Sequence, residues 1–283
     1  MTTVSNGISS GAAKGKTKMD LSSAIGEKGR RTSTLSNSWV LLKRCLKLNF
    51  RSGEQILMAV VVPVVMMVLF GYVFGGMMEM GASNFINFIV PGIIIISIVQ
   101  GATATAITIN DDVKRGIMDR FKSMPISRSS VLVSHALAAM LRSIVSTTAT
   151  IVAALFIGFT PEANLGQWLG AIAMLLLFSF VMTWIGILLG LAVKDAGAIG
   201  GFGFILTILP YLSSAFVVTE TLPRALEIFA NAQPMTPIAD TLRGFFTGAT
   251  VGNELGIAIA WCVGLTFLVF LAAVQIFNKR LTK

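Results

Sequence analysis

Charged residues are scarce in this sequence, and side chains suited to catalysis are scarcer still. Asp, Glu, Lys and Arg make up 12% of the 283 residues, about half the share in an average soluble domain. So few charged residues cannot cover a surface that is entirely in contact with water. Part of the surface must therefore be in contact with lipid. His135 is the only histidine, and the two cysteines, Cys45 and Cys262, lie in different surroundings. These counts argue against a metal site, a disulfide and a Ser-His-Asp or Cys-His catalytic set.

The basic residues are clustered, although the net charge is only +9. Ten Lys and Arg lie in the first 51 residues, and most of the others lie in short segments between apolar runs. This arrangement suits anionic lipid headgroups and argues against nucleic acid as a partner. Residues 1–35 are rich in Ser, Thr, Gly and Lys, which predicts a disordered cytoplasmic tail.

The segment GAAKGKT (11–17) resembles a phosphate-binding loop without matching its spacing. Only three residues separate Gly11 from the GKT triplet, whereas the motif needs four, and no buried strand precedes it. We therefore expect no ATPase within this chain.

Hydrophobic runs reach the length of a membrane helix, about 20 mostly apolar residues, at six places. The predicted spans are about 55–75, 85–109, 135–159, 168–193, 199–218 and 255–277. Glycine pairs at four-residue spacing are interpreted as close helix packing: Gly71/Gly75, Gly186/Gly190 and Gly197/Gly201. The sequence thus predicts an all-α, multi-pass membrane protein with one transmembrane domain over residues 36–283.

The distribution of Lys and Arg predicts the orientation. With six spans, 20 of the 22 basic side chains fall on one side, and only Arg224 and Arg243 fall on the other. Cytoplasmic segments carry the positive excess. We therefore expect a protein of the plasma membrane with both termini in the cytoplasm.

The segment between the second and third spans, residues 110–128, holds eight of the 35 charged residues. Val113, Ile117 and Phe121 recur at four-residue spacing, which predicts a short amphipathic helix that begins near Asp111 and ends at Pro125. A helix lying on lipid is one interpretation. The acidic residues mixed into the segment favour a protein partner.

This segment resembles the cytoplasmic loop of ABC-2 type permeases, and most of all that of the daunorubicin/doxorubicin-resistance exporters. In that family the loop is a coupling helix that docks on a separate ATP-binding subunit. The resemblance assigns the following residues to it: Asp112, Arg115, Gly116, Ile117, Asp119, Phe121 and Pro125.

Two other segments are similar to parts of the same family. Residues 36–55 are amphipathic and resemble its interfacial elbow helix, which would place four side chains at the lipid surface: Trp39, Lys43, Lys47 and Arg51. Residues 219–246 resemble re-entrant outer helices before the last span, with Gln233 where the family has Asn. The matching residues are Pro234, Met235, Thr236, Pro237, Asp240 and Arg243. A solvated loop helix is the alternative for this segment.

The resemblance implies the permease subunit of an ATP-binding cassette exporter. Its partners would be an ATPase subunit, which carries ATP and Mg²⁺, and a second copy of this chain or a related permease. This chain itself would need no cofactor and would not be an enzyme. The substrate implied is a hydrophobic or amphipathic drug or lipid. The alternative is a stand-alone channel or scramblase without an ATPase. Arg142, inside the third span, is interpreted as reaching the interface with its side chain, and a substrate or gating role is the alternative.

Overall fold

Helices make up the described part of the chain. A computed structural model describes residues 53–74, 82–116, 128–193 and 195–282, and no strand occurs within these ranges. The helices are, in chain order, α1 (Gly53–Val68), α2 (Ala82–Lys114), α3 (Arg128–Ile157), α4 (Leu165–Ala192), α5 (Ala196–Tyr211), α6 (Arg224–Ala232), α7 (Met235–Phe246) and α8 (Glu254–Thr282). A π-helical turn, Leu69–Phe74, continues α1.

Four of these helices are long and apolar enough to cross a membrane. Their apolar stretches are Phe85–Lys114, Leu132–Ile157, Leu165–Ala192 and Glu254–Ile276. They correspond to the predicted second, third, fourth and sixth spans. The apolar helices at the first and fifth positions are shorter, Val60–Tyr72 and Ala196–Tyr211, so the count of six spans stays a prediction.

The predicted fifth span is wrong in its last seven residues, because α5 ends at Tyr211 and not near residue 218. The reason is local hydrogen bonding by Ser213. Its hydroxyl donates to the Pro210 carbonyl (2.6 Å) and accepts from the Ala215 N–H (3.1 Å). A serine that bonds the neighbouring backbone in this way offers the chain an alternative to further helix.

α2 is the central helix of the bundle. It packs against α1, α3, α4, α5 and α7. Within its most apolar window 78% of the residues are buried, compared with 17% for α8, which packs against α4 and α7. A helix that is apolar on all sides, as α2 is around its run of isoleucines, is typical of a buried position.

The interface between α2 and α4 confirms one of the glycine pairs as a packing motif. A β carbon on Gly186 would collide with the Ala102 carbonyl, and one on Gly190 would lie 2.6 Å from the Ala106 carbonyl. Gly201, in contrast, has no neighbouring atom within 4 Å of such a position. Close approach of α4 to α2 therefore depends on Gly186 and Gly190.

The bundle has two ends, which carry the two segments of interest. At the loop end, α2 finishes and α3 starts, and a cluster of buried apolar residues joins four helices: Ile109, Leu132, Ala136, Trp184, Ile187, Leu191 and Ala273. At the far end, α7 packs into the larger apolar cluster, with Phe246 against Phe159 and Trp168.

Candidate functional sites

The predicted start of the coupling helix is wrong. Asp111 and Asp112 lie in the last turn of α2, which continues without a break to Lys114. The helix ends at Gly116, whose φ of +66° is a left-handed conformation that favours glycine. The Gly116 N–H donates to the Val113 carbonyl (3.1 Å). The two aspartates therefore lie at the negative end of the α2 dipole, and not at the positive end of a new helix.

Other residues assigned to the coupling and elbow helices lie outside the described ranges, and their placement stays a prediction. In the coupling helix these are Ile117, Asp119, Phe121 and Pro125, and in the elbow helix they are Trp39, Lys43, Lys47 and Arg51. Arg115 is exposed directly before Gly116. The described part of the loop end thus presents a positive side chain where the chain leaves α2.

Two polar side chains, one buried and one partly buried, tie the end of α2 to its neighbours. Asp112 Oδ2 lies 3.3 Å from His135 Nε2 on α3. Asn110, which is 1% exposed, donates through Nδ2 to the carbonyl of Val193, directly after α4, at 2.6 Å. The His135 contact gives Asp112 a partner at a helix end where the dipole disfavours a carboxylate. These bonds fix the point from which the 117–127 segment departs.

Arg243 joins three parts of the far end. It donates through Nη1 to Asp240 (2.7 Å) and through Nη2 to the carbonyl of Ser214 (2.6 Å). Its guanidinium lies 4.1 Å from the centre of the Phe88 ring on α2. Burial lowers the pKa of Arg243, and the charge and hydrogen bond of Asp240 oppose that decrease. The Asp240–Arg243 ion pair and the bond to Ser214 therefore hold α7 in place.

α7 is anchored at its start as well. Gln233 donates to the Leu212 carbonyl (2.6 Å), and the Thr236 hydroxyl accepts from the Ser214 N–H (3.3 Å). Eight residues of α7 are buried, including Met235, Thr236 and Pro237. A fully solvated loop helix is therefore wrong for α7. α6 differs, since only Ala230 is buried there.

The interpretation that Arg142 reaches the interface is wrong, because its side chain is directed at α2. Nη2 donates to the Gly101 carbonyl (3.0 Å) and to the Thr105 hydroxyl (2.6 Å). One turn further along α3, the hydroxyls of Ser146 and Ser97 are 2.7 Å apart. Sequence reasoning missed this interface, although the four-residue spacing of Ser97, Gly101 and Thr105 was a visible signal.

A small apolar cleft of about 10 Å³, roughly the space of one water molecule, lies between α1, α2 and the end of α5. Gln100 and Tyr211 supply its polar groups. The other lining residues are Val62, Pro63, Met66, Phe70, Ile93, Ile96 and Phe216. The sequence did not indicate this cleft, because its residues come from three separated segments. Within the described ranges no three His, Cys, Asp or Glu side chains are grouped so as to hold a metal ion.

Comparison with known proteins places these features in a family. The family model described as "ABC-2 type transporter" matches residues 36–247. The chain is 27% identical over 243 residues to the "Daunorubicin resistance ABC transporter permease protein DrrB1" of Streptomyces coeruleorubidus. The aligned region covers 86% of each chain. The chain is 23% identical over 208 residues to the "Probable doxorubicin resistance ABC transporter permease protein DrrC" of Mycobacterium tuberculosis, covering 73% of this chain and 75% of the relative.

Proposed function

The chain belongs to the ABC-2 type transporter family, and we propose that it exports amphipathic drugs or lipids with energy from a separate ATPase subunit. It is a membrane permease subunit of an ABC exporter. The observation that carries this conclusion is the family match over residues 36–247, which includes both the loop at the end of α2 and the α7 segment. The names of the relatives, which refer to daunorubicin and doxorubicin resistance, support a drug as cargo.

The apolar cleft supports a cargo of low charge. Its walls are almost entirely apolar, with Gln100 and Tyr211 as the polar groups. Its volume of about 10 Å³ is far below the 300–1,000 Å³ of pockets that enclose a drug-sized ligand. The described part of one chain would therefore not enclose such a molecule. A second copy of the chain, or a related permease, would supply the rest of the path.

The segment after Gly116 would act as the coupling helix. ATP and Mg²⁺ bind to the partner ATPase, and its closure moves the segment that carries Ile117, Phe121 and Pro125. The bonds of Asn110 and Asp112 support this role, because they give that segment a fixed attachment to α3 and α4. Nucleotide binding then favours one of two membrane conformations. This chain contributes no catalysis.

Two other segments would serve the same cycle. α7 would dip into the outer leaflet as a re-entrant gate, which its partly buried Asp240–Arg243 pair and its packing against α2 support. The elbow helix would lie on anionic lipid at the inner surface, with Trp39 at headgroup depth. In this topology, α1 and α5 complete six spans and both termini lie in the cytoplasm.

The test is extraction of the chain from its native membrane in mild detergent, followed by mass spectrometry. We expect a Walker-motif ATPase in about equal amount, and its loss when Ile117→Asp and Phe121→Asp are combined. A chain that is well extracted but comes alone would contradict the proposal. Flux without ATP in liposomes would then identify a stand-alone channel or scramblase.

A further inference from the structure

A polar seam joins α2 to α3 at three levels. It consists of Ser97 with Ser146, Arg142 with Gly101 and Thr105, and Asp112 with His135. From Ser97 to Asp112 the helix rises about 22 Å at 1.5 Å per residue. The seam therefore follows more than half of a membrane thickness and reaches the loop end.

Four members of the seam are shielded from solvent. Ser97, Thr105, His135 and Ser146 are each at most 7% exposed. In lipid, helices gain little from apolar burial against each other, so interhelical hydrogen bonds and close packing decide which helices stay together. An arginine moved off its partners at this depth would lose its solvation by the Gly101 carbonyl and Thr105 hydroxyl, which is costly.

The levels of the seam act together against sliding. A shift of α3 by one helical turn, about 5.4 Å, would separate Ser97 from Ser146, Arg142 from Gly101, and Asp112 from His135 at once. The contact of α2 with α5 has a different character. Gly203 lies beneath Thr103, and no hydrogen bond joins α2 to α5 among the residues that the structure describes. The described polar contacts therefore hold α2 to α3 and do not hold α2 to α5.

We propose that α2 and α3 move as one unit throughout the transport cycle, and that Arg142 is the positioning residue that keeps them in register. The inference rests on the proposed function, because it describes how that transporter would pass on the movement of its ATPase. The segment 117–127 connects the two helices of this unit. A push on that segment then displaces both helices together and does not spread them apart.

The experiment uses Ser97→Cys with Ser146→Cys in the full-length chain with Cys45→Ser and Cys262→Ala, purified with its ATPase. The two hydroxyl oxygens, 2.7 Å apart, place the side chains near the separation that a disulfide requires. Copper phenanthroline is applied to the nucleotide-free and the vanadate-trapped complex. We expect equal cross-linking in both states. Cross-linking in only one state would overturn the proposal. Each single-cysteine variant is the control.

Transport provides the second measurement, with daunorubicin as the probe in inside-out vesicles. We expect the cross-linked pair to retain ATP-dependent uptake. A loss of uptake that dithiothreitol reverses would mean that α2 and α3 must separate, contrary to the proposal. If the reduced protein moves no daunorubicin, that result contradicts the proposed cargo only. The comparison of cross-linking between the two nucleotide states still tests whether α2 and α3 move as one unit.

A rescue experiment separates a positioning role from a substrate contact. Arg142→Gln should lower uptake per ATP hydrolysed by about tenfold, within the range of coupling changes that such residues cause. In the same chain, the 97–146 disulfide should restore uptake, because it replaces the lost register contact. An unaffected Arg142→Gln variant, or a defect that the disulfide does not repair, would contradict the role assigned to Arg142.

Discussion

The guanidinium of Arg243 lies 4.1 Å from the centre of the Phe88 ring, so a side chain of α7 rests directly on the central helix. The same guanidinium donates to the Ser214 carbonyl, three residues after α5 ends. α7 is thus attached to two elements that are far apart in the sequence. This relationship leads to the first prediction.

Replacing Arg243 with Gln should destabilise the protein by about 1.5–3 kcal/mol, because hydrogen bonds to charged groups contribute that much. The measurement is thermal unfolding of the purified protein in detergent. Arg224→Gln is the matched control, since Arg224 also pairs with an acidic residue three positions later but is 83% exposed. Its loss should cost at most about 1 kcal/mol. Equal effects of the two variants would argue against α7 being held by Arg243.

Gly186→Ala and Gly201→Ala should change stability in opposite directions. A β carbon at 186 meets the Ala102 carbonyl, and such overpacking costs about 1–3 kcal/mol. A β carbon at 201 meets no atom within 4 Å, so the better helix propensity of Ala should stabilise by up to about 1 kcal/mol. Denaturant titration of helix content checks both. A stabilising Gly186→Ala would mean that α4 does not approach α2 this closely.

Gly116→Val should weaken coupling, whereas Gly116→Asn should leave it nearly intact. The φ of +66° at Gly116 costs an ordinary residue about 1–2 kcal/mol, and Asn tolerates it better. The strained variant should redirect the chain after α2. We expect ATP-dependent uptake of daunorubicin to fall about tenfold with Val, the factor that 1.4 kcal/mol corresponds to. Unchanged uptake with Val would show that the exit angle from α2 is unimportant.

Asn110→Ala should loosen the loop end without unfolding the far end. Its bond to the Val193 carbonyl would be lost, leaving a partly buried acceptor, at a cost of about 1–3 kcal/mol. Hydrogen–deuterium exchange should rise in residues 187–193 and 108–116. Asn87→Ala is the control on the same helix, because Asn87 bonds Thr160 at the far end. Increased exchange at the same residues in both variants would contradict a local role for Asn110.

The apolar helices could be predicted from the sequence, because a helix in lipid needs a certain length and an apolar composition, and both can be read from the sequence. The second span was predicted as 85–109, and the helix runs from Ala82 to Lys114. The extra turn contains Asp111 and Asp112, which a hydropathy argument excludes from a span. Asp112 has its partner, His135, in another helix.

Pairing within one segment could also be predicted, but pairing across segments could not. Asp240 and Arg243 are three residues apart, and their contact follows from helix geometry. The direction of Arg142 depends instead on which helix lies beside α3. Without that knowledge, an arginine in a span was interpreted as reaching for water, whereas the backbone of Gly101 accepts its hydrogen bond.

The central position of α2 also has a consequence for biosynthesis. Of the five described helices that pack against α2, four follow it in the chain, namely α3, α4, α5 and α7. When α2 leaves the ribosome, Thr105 and Asn110 still lack Arg142 and Val193. The nascent helix must therefore wait in the lipid, or beside the insertion machinery, until more than 100 further residues are made and α7 arrives. A chain truncated before Met235 would lack α7, which packs against α2 at the far end of the bundle. Quality-control proteases would then encounter a chain whose α2 is uncovered at that end.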